Sequence, residues 1–308
     1  MINIILKCAR RRVTRFGRTK REKTVAAPFE WIVTPGDRLH HRANDRRRLR
    51  PTASAVLFGA IAVFISFWGR YAEAAPWPQA PGDGFVETRS DYFTSTDAFG
   101  RFERFDGAIY GEYGLFPSLM VGGKAIYGTS RQISQTSQRS ASGVSEIEGF
   151  VQYTVHWGDW DVVSVRAAGI RPASLSAGVR PEIAADGVDV DVRALYGRTL
   201  RDFPHKIFIT AETALRKRLG DAADEVRLDA GLGYEPANNW LFLLETQSTL
   251  SLRNNQPGAA DFDVLKVQPS IVWAFSDCCS LRVGGVIEAT ARNLTPGAGG
   301  FLALWSFF

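Results

Sequence analysis

The sequence predicts an all-β protein, a transmembrane antiparallel up-and-down β-barrel of about twelve strands, with a range of about ten to fourteen. Three observations predict it. Apolar and polar residues alternate with a period of two through most of residues 84–308, short and long connections alternate between these segments, and an export-type leader precedes them. Two-residue alternation gives a strand one apolar and one polar face. Repeated segments of this kind are typical of barrels that cross a bilayer.

The first 74 residues form a leader whose charge differs from that of the rest. They hold 16 of the 37 basic side chains and five of the 32 acidic ones, which leaves 21 basic and 27 acidic side chains in residues 75–308. The apolar run 53–69 follows a cluster of arginines and precedes Ala72-Glu73-Ala74, as in a secretory signal peptide. We therefore expect cleavage near Ala74 and a barrel domain of residues 75–308.

The leader leaves other interpretations open. Its apolar run of 17 residues is at the lower limit for a spanning helix, so an uncleaved signal anchor that carries a periplasmic domain is an alternative. The run begins only after about fifty residues, which is long for a positive n-region, and we expect translation to start downstream of Met1. No nucleic-acid motif follows the basic residues, so no nucleic-acid partner is predicted.

Twelve segments of roughly 10–13 residues carry the strand pattern, the length that a tilted membrane strand requires. In the clearest of them Val226 and Leu228 lie on one face and Arg227 lies on the other. The segments are 84–95, 102–114, 119–129, 144–156, 160–170, 187–198, 205–215, 224–234, 240–250, 263–275, 280–291 and 299–308.

The connections between the segments alternate in length. The tight ones are Leu115–Ser118, Trp157–Asp159, Thr199–Pro204, Glu235–Asn239 and Ser276–Cys279. Long polar connections are Ser130–Gly143, Arg171–Asp186 and Ser251–Phe262. Bacterial barrels have short periplasmic turns and longer extracellular loops, so the alternation predicts a periplasmic location for both ends of the barrel.

The two-residue period places most ionisable strand residues on one face, which we predict to be the lumen. A lipid-facing Arg or Lys near the midplane would cost about 2–4 kcal/mol. The lumen-lining candidates are Arg104, Asp106, Glu112, Lys124, Glu146, Glu148, Arg166, Asp189, Asp191, Arg193, Glu212, Arg227, Asp229, Glu245, Lys266, Arg282 and Glu288.

Aromatic residues next to the short turns predict a periplasmic girdle, because Trp and Tyr concentrate at the membrane interface. The alternative is that they close the ends of a soluble barrel. The girdle candidates are Tyr113, Trp157, Trp160, Tyr234, Trp240, Trp273 and Phe275.

From the leader to the last strand, the chain resembles bacterial outer-membrane β-barrel proteins. Phe308, with Leu304 and Leu302 at the alternate positions before it, resembles the C-terminal signal that the barrel-assembly machinery recognises, which implies that machinery as a partner. A narrower resemblance, to the transporter-like barrels of the phenol meta-pathway family, rests on the strand-turn-strand segments 110–123 and 233–244. That family implies passive uptake of small aromatic or apolar compounds.

The residues after the leader supply no catalytic constellation, and we predict neither an enzyme nor a metal or cofactor. Only His156 and His205 remain there as histidines, and neither has the serine pattern of a hydrolase beside it. Asp189 and Asp191 share a face, but their spacing lacks a calcium-loop pattern. We expect these two aspartates to be solvated or paired with inward arginines.

The sequence thus favours a protein in the outer membrane of a Gram-negative bacterium, in contact with lipid and lipopolysaccharide, that passes or binds small solutes. The interior charges either line an aqueous passage or pair across a closed lumen. A non-enzymatic structural or surface-interaction protein is the alternative, with the loop Arg131–Ser142 contacting polysaccharide or lipopolysaccharide. A soluble or signal-anchored periplasmic β-protein is the third interpretation.

Overall fold

The structure is a computed structural model. It describes residues 76–98, 100–134, 136–172, 187–220, 222–253 and 261–308. The predicted leader, residues 1–74, lies outside the described residues. Within the described ranges, no helix has the length and apolarity needed to span a bilayer.

Twelve antiparallel strands follow one another along the described chain. They are β1 (Gly84–Asp97), β2 (Gly100–Phe116), β3 (Leu119–Ile133), β4 (Gln138–Trp157), β5 (Asp161–Pro172), β6 (Asp189–Arg201), β7 (Lys206–Arg218), β8 (Glu225–Ala237), β9 (Trp240–Ser251), β10 (Asp263–Ser276), β11 (Cys279–Arg292) and β12 (Gly297–Phe307).

The sheet closes on itself. Each strand pairs with the next in sequence, and β1 pairs with β12, with Phe85 opposite Phe307. At the seam Gly84 and Phe308 exchange backbone hydrogen bonds of 2.8 and 3.0 Å. Closure pairs the backbone groups that an open edge would leave exposed to lipid. The predicted up-and-down barrel and its twelve strands are confirmed.

The two faces of the sheet differ as the alternation predicts. In β5 the even-numbered residues from Val162 to Ile170 are buried, while Val165 and Arg171 are exposed. Large apolar side chains lie on the outside around the barrel, and Phe105 and Val192 are 55% and 59% exposed. A soluble barrel would bury its apolar face. This orientation is the one that a surrounding bilayer stabilises.

One predicted loop is wrong. The residues of Ser130–Gly143 are mostly strand, because β3 continues to Ile133 and β4 begins at Gln138. The Thr129 and Ser142 hydroxyls are hydrogen-bonded at 3.0 Å across the pair, and such cross-strand polar pairs stabilise a ladder as apolar ones do. The extension has polar residues on its outer face too, so it lacks the apolar alternation that marks the membrane-embedded part.

The five predicted tight turns join the strands where the alternation placed them. The connections are residues 117–118, 158–160, 202–205, 238–239 and 277–278. Of the other two predicted long loops, residues 173–186 and 254–260 lie outside the described residues.

Candidate functional site

The lumen is the candidate site, and its wall is built from the inward faces of the strands. Each strand from β2 to β11 carries its predicted lumen residues on the same face as its buried residues, for example Arg104 with Phe102 and Glu212 with Phe208. All seventeen predicted lumen residues lie on these inward faces. Their carboxylates and cations form ion pairs that follow the wall and cross the interior.

Arg193 of β6 lies at the centre of the most extensive cluster. Its Nη1 atom lies 2.6 Å from Glu212 Oε2 on β7 and 2.9 Å from Asp229 Oδ2 on β8. Its Nε atom lies 3.5 Å from Asp191 Oδ1. One guanidinium therefore contacts three carboxylates on the inward faces of three adjacent strands, and the cluster keeps an excess of negative charge.

A second cluster spans the interior towards the end opposite the short turns, which we predict to be the extracellular end. Arg216 of β7 donates to Asp189 Oδ2 at 2.7 Å and lies 3.5 Å from Glu146 Oε2 of β4. Because β5 and β6 separate those strands in the sheet, the second contact crosses the lumen. Lys124 binds the same wall, 2.6 Å from Glu146 and 3.3 Å from Glu148.

A third pair crosses the lumen near the end with the short turns, which we predict to be the periplasmic end. Arg166 of β5 lies 3.6 Å from Glu112 of β2, and both side chains are at least nine-tenths buried. Arg166 also donates to Gln152 Oε1 at 2.7 and 2.9 Å and covers the ring of Phe150 at 4.2 Å. Tyr110 donates to Glu112.

The opposite wall combines arginines with aromatic rings. Arg89 pairs with Asp91 at 2.6 Å and lies 3.7 Å from the centroid of the Phe301 ring. Arg282 covers the same ring at 5.1 Å and is paired with Glu245. Stacked guanidinium groups remain charged while their flat faces contact apolar surface.

Several charged lumen residues were missed by the sequence analysis. Glu87, Arg89 and Asp91 repeat at two-residue spacing in β1, the same signal that identified the other strands. Arg216 lies two periods beyond the predicted Glu212, and Glu225 lies one period before the predicted Arg227; they are 3% and 4% exposed. The pattern was therefore sufficient to find all five.

The periplasmic end of the lumen holds a segment that no sequence pattern predicted. Residues 76–81, the N-terminal plug, run inside the barrel. Pro76 is less than 2% exposed, and its carbonyl oxygen accepts a 2.8 Å hydrogen bond from the Ser164 hydroxyl of β5. The Trp77 ring packs edge-on against Phe208 of β7, with centroids 5.9 Å apart and planes at 87°.

The other end of the plug is attached to β2. Pro81 forms an isolated parallel bridge with Gly114, and the Gly82 amide donates to the Gly114 carbonyl at 2.8 Å. Gln79 Nε2 donates to Glu112 Oε2 at 3.2 Å. The plug therefore spans the lumen from β2 to β5 and β7.

An apolar floor surrounds the plug. Phe85, Phe208, Leu241, Val272 and Trp305 form one buried cluster, with Trp77 packed against it. The lumen thus changes from paired charges in its upper part to apolar packing at its periplasmic end.

The seven predicted girdle residues are all exposed and lie beside the periplasmic turns. Their exposed fractions range from 38% for Tyr234 to 60% for Trp157. The rings of Trp240 and Trp273 stack with centroids 6.2 Å apart. Phe203, at 85% exposed, extends this aromatic band and was missed because it lies in a turn.

The described residues offer little for catalysis or metal binding. No group of three or more His, Cys, Asp or Glu side chains among them could hold a metal ion. His156 Nε2 lies 3.5 Å from Asp161 Oδ1, and both side chains are more than one-third exposed at a periplasmic turn.

A closed antiparallel barrel with an apolar exterior and a charged interior is the architecture of bacterial outer-membrane β-barrel proteins. The fold is similar to that of the COG4313 outer membrane channel from Pseudomonas putida F1, with a TM-score of 0.60 and 13% identity over 78% of this chain and 100% of that chain.

Two further solved structures are less similar in fold. The NanC porin has a TM-score of 0.49 and 8% identity over 72% of this chain and 99% of its own. The translocator domain of the autotransporter NalP from Neisseria meningitidis has a TM-score of 0.43 and 13% identity over 75% of this chain and 90% of that chain. No protein-family model and no curated protein matches the sequence. The resemblance to the phenol meta-pathway family is therefore not confirmed.

Proposed function

We propose that the chain is an outer-membrane channel through which small solutes pass down their concentration gradient, without enzymatic activity. The observation that carries this proposal is the charged lining, which continues from Asp189 near the extracellular end to Glu112 near the periplasmic end. Pairing polar groups inside a lumen gives less stabilisation than apolar packing of the same volume, so a barrel with a purely structural role would gain nothing from this lining.

The two signs of charge bear on selectivity. Rings of one sign select ions of the opposite sign, whereas here cations and carboxylates alternate along the wall, and Arg193 offsets only part of the charge of its three carboxylates. We therefore propose weak ion selectivity and passage of small polar solutes. The solved channel with the similar fold is described as an outer membrane channel, which supports the proposal.

Conductance in planar bilayers tests the channel function. Residues 75–308, refolded in detergent and shown to be folded by heat-modifiable gel migration, should produce discrete conductance steps. If neither this protein nor a variant with residues 76–81 displaced gives steps after verified insertion into vesicles, the function is contradicted. Fractionation of cells should place the protein in the outer membrane, whereas recovery in a detergent-free soluble fraction would contradict the membrane location.

We also propose cleavage near Ala74, lipid and lipopolysaccharide contact along the outer wall, and recognition of Phe308 by the assembly machinery. The buried Pro76 supports the first of these, since the plug occupies the lumen almost from the proposed start of the mature chain. N-terminal sequencing of the exported protein should begin at residue 75.

A surface-interaction role is a second candidate, favoured by the hairpin extension of β3 and β4. The extension carries outward Arg131, Ser140 and Ser142 above Tyr127, which is 57% exposed. Hydroxyl and guanidinium groups are the donors that a phosphorylated polysaccharide would bind. Retention of lipopolysaccharide by the purified protein, together with absence of conductance, would favour this role.

A further inference from the structure

We propose that residues 76–81 form a displaceable gate that closes the periplasmic mouth, and that Trp77 determines the size of the closed constriction. The proposal rests on the channel function proposed above. The plug lies across the lumen, and the wall shows two positions adapted to receive it.

Both receiving positions are inward glycines. A Cβ at Gly197 of β6 would lie 2.6 Å from the Trp77 ring and 2.8 Å from Pro76 Cγ. A Cβ at Gly114 of β2 would lie 2.2 Å from the Ala80 carbonyl oxygen. Real Cβ atoms essentially never show distances below 3.0 Å, so a side chain at either position would force the plug or the wall to shift. The absence of side chains at these two places therefore makes room for the plug.

The barrel does not depend on the plug for its closure. β1 pairs with β2 from Gly84 to Asp97 and with β12 from Phe85 to Ser95, and those ladders contain no plug residue. The far end of the plug is held by the hydrogen bond from Ser164 and by apolar contact of Trp77 with Phe208. Withdrawal of that end breaks these contacts and leaves every strand pair intact.

The plug is joined to β1 through Gly82, whose φ of 84° is a backbone conformation that glycine adopts without the steric cost that a Cβ imposes. In the proposed opening, the chain before Gly82 rotates, the Pro81–Gly114 bridge breaks, and Trp77 leaves the lumen while β1 stays in the sheet.

Withdrawal would also uncover charge. Gln79 covers Glu112, whose side chain has no exposed surface, and Arg166 beside it is 9% exposed. With the plug removed, Glu112 and Arg166 would face the periplasmic mouth. The mouth, closed by apolar packing before, would then be open and lined by a carboxylate and a guanidinium.

A reversible disulfide between the plug and β5, called the lock below, tests the gate. Pro76→Cys and Ser164→Cys are chosen because the Ser164 hydroxyl contacts the Pro76 carbonyl at 2.8 Å. Cys278→Ser and Cys279→Ser remove the other thiols of residues 75–308. In the oxidised protein we expect conductance to fall severalfold below that of the same protein after reduction. Each single-cysteine variant should show no redox dependence.

Three results of the lock would overturn the gate. The first is equal conductance of the oxidised and reduced forms, with the disulfide verified by mass spectrometry. The second is lower conductance in the reduced form. The third is a folded, heat-modifiable protein that forms no disulfide under oxidant, because the plug would then not occupy the receiving position.

A second pair of variants opens the gate without cysteines. Gly197→Val places a side chain where Trp77 and Pro76 lie, whereas Gly169→Val on the outer face of β5 meets nothing within 4 Å. We expect severalfold higher conductance for G197V and no change for G169V. Equal conductance of both variants and the wild type would contradict the gate.

The two proposals fail in different ways. If the wild type, G197V and the reduced lock all conduct equally, the gate is wrong and the channel function stands. If none of them conducts after verified insertion, the channel function itself is wrong, and the gate is wrong with it.

Discussion

Arg216 reaches across the interior from β7 to within 3.5 Å of Glu146 on β4, while its Nε atom binds Asp189 on the neighbouring strand at 2.7 Å. Arg216 and Asp189 are almost completely buried, with side chains 4% and 3% exposed. One guanidinium therefore ties together two parts of the wall that the hydrogen-bond ladder does not connect directly.

Arg216→Ala should destabilise the barrel, because Asp189 would remain buried without its main partner. Breaking one side of a buried pair costs about 3–5 kcal/mol, and urea unfolding in lipid vesicles measures it. Arg198→Ala is the control, since Arg198 is exposed on the outer face. Adding Asp189→Asn should recover part of the loss. An additive double variant would show that the pair is not coupled.

Val192→Arg tests whether the outer face lies in lipid. Val192 is 59% exposed and pairs with Ala167 and Leu215 near the middle of the wall. An arginine near the bilayer midplane costs about 2–4 kcal/mol, and one near the interface about 0–1 kcal/mol. Unfolding measured in vesicles should show the larger loss of folding free energy for Val192→Arg and the smaller loss for Ser140→Arg. Equal small losses would place Val192 in water.

Phe308→Ala tests the proposed assembly signal. Phe308 is 51% exposed, and its ring lies over Gly84, where a Cβ would be 2.4 Å away. We expect less protein in the outer membrane of cells, with refolding in detergent largely retained, because the assembly machinery is absent in the second assay. Phe275→Ala, at a similarly exposed aromatic, is the control. Equal insertion of both variants would contradict a special role for Phe308.

Acid should release a contact at the extracellular end. Asp261 lies 3.0 Å from Arg292, and a hydrogen bond from Ser251, aided by Arg292, lowers its pKa below 3.8. Because the folded pKa lies below the ordinary value, the contact stabilises the folded state at neutral pH and is lost as the pH falls through the lowered pKa. In NMR titrations, the midpoint of the Asp261 carboxyl should be lower in the wild type than in the Arg292→Ala variant. Identical midpoints would contradict the pairing.

The sequence predicted the barrel well because burial in lipid imposes a period of two on each strand. The faces of β5 and β8 follow from that period alone. The same period marks Glu87, Arg89 and Asp91 of β1. The extension around Ser140 was missed for a physical reason. Outside the bilayer both faces of a strand contact water, so the apolar alternation ends although the hydrogen-bond ladder continues.

The plug could not be predicted from local pattern. Residues 76–81 contain three prolines and form neither a helix nor a named strand. Their position depends on contacts with residues far away in sequence, such as Ser164 and Phe208. Gly197 and Gly114 are recognisable as receiving positions only once the strands have been brought around the lumen.

A plug made from the beginning of a mature chain differs in kind from an internal loop folded into a pore. An internal loop is held at both ends, so its movement is limited by the entropy of loop closure. A free end is attached to the barrel at one end only, here through Gly82. With cleavage near Ala74, as proposed, export would create that free end. The enzyme that releases the protein from its leader would then also make its closure reversible.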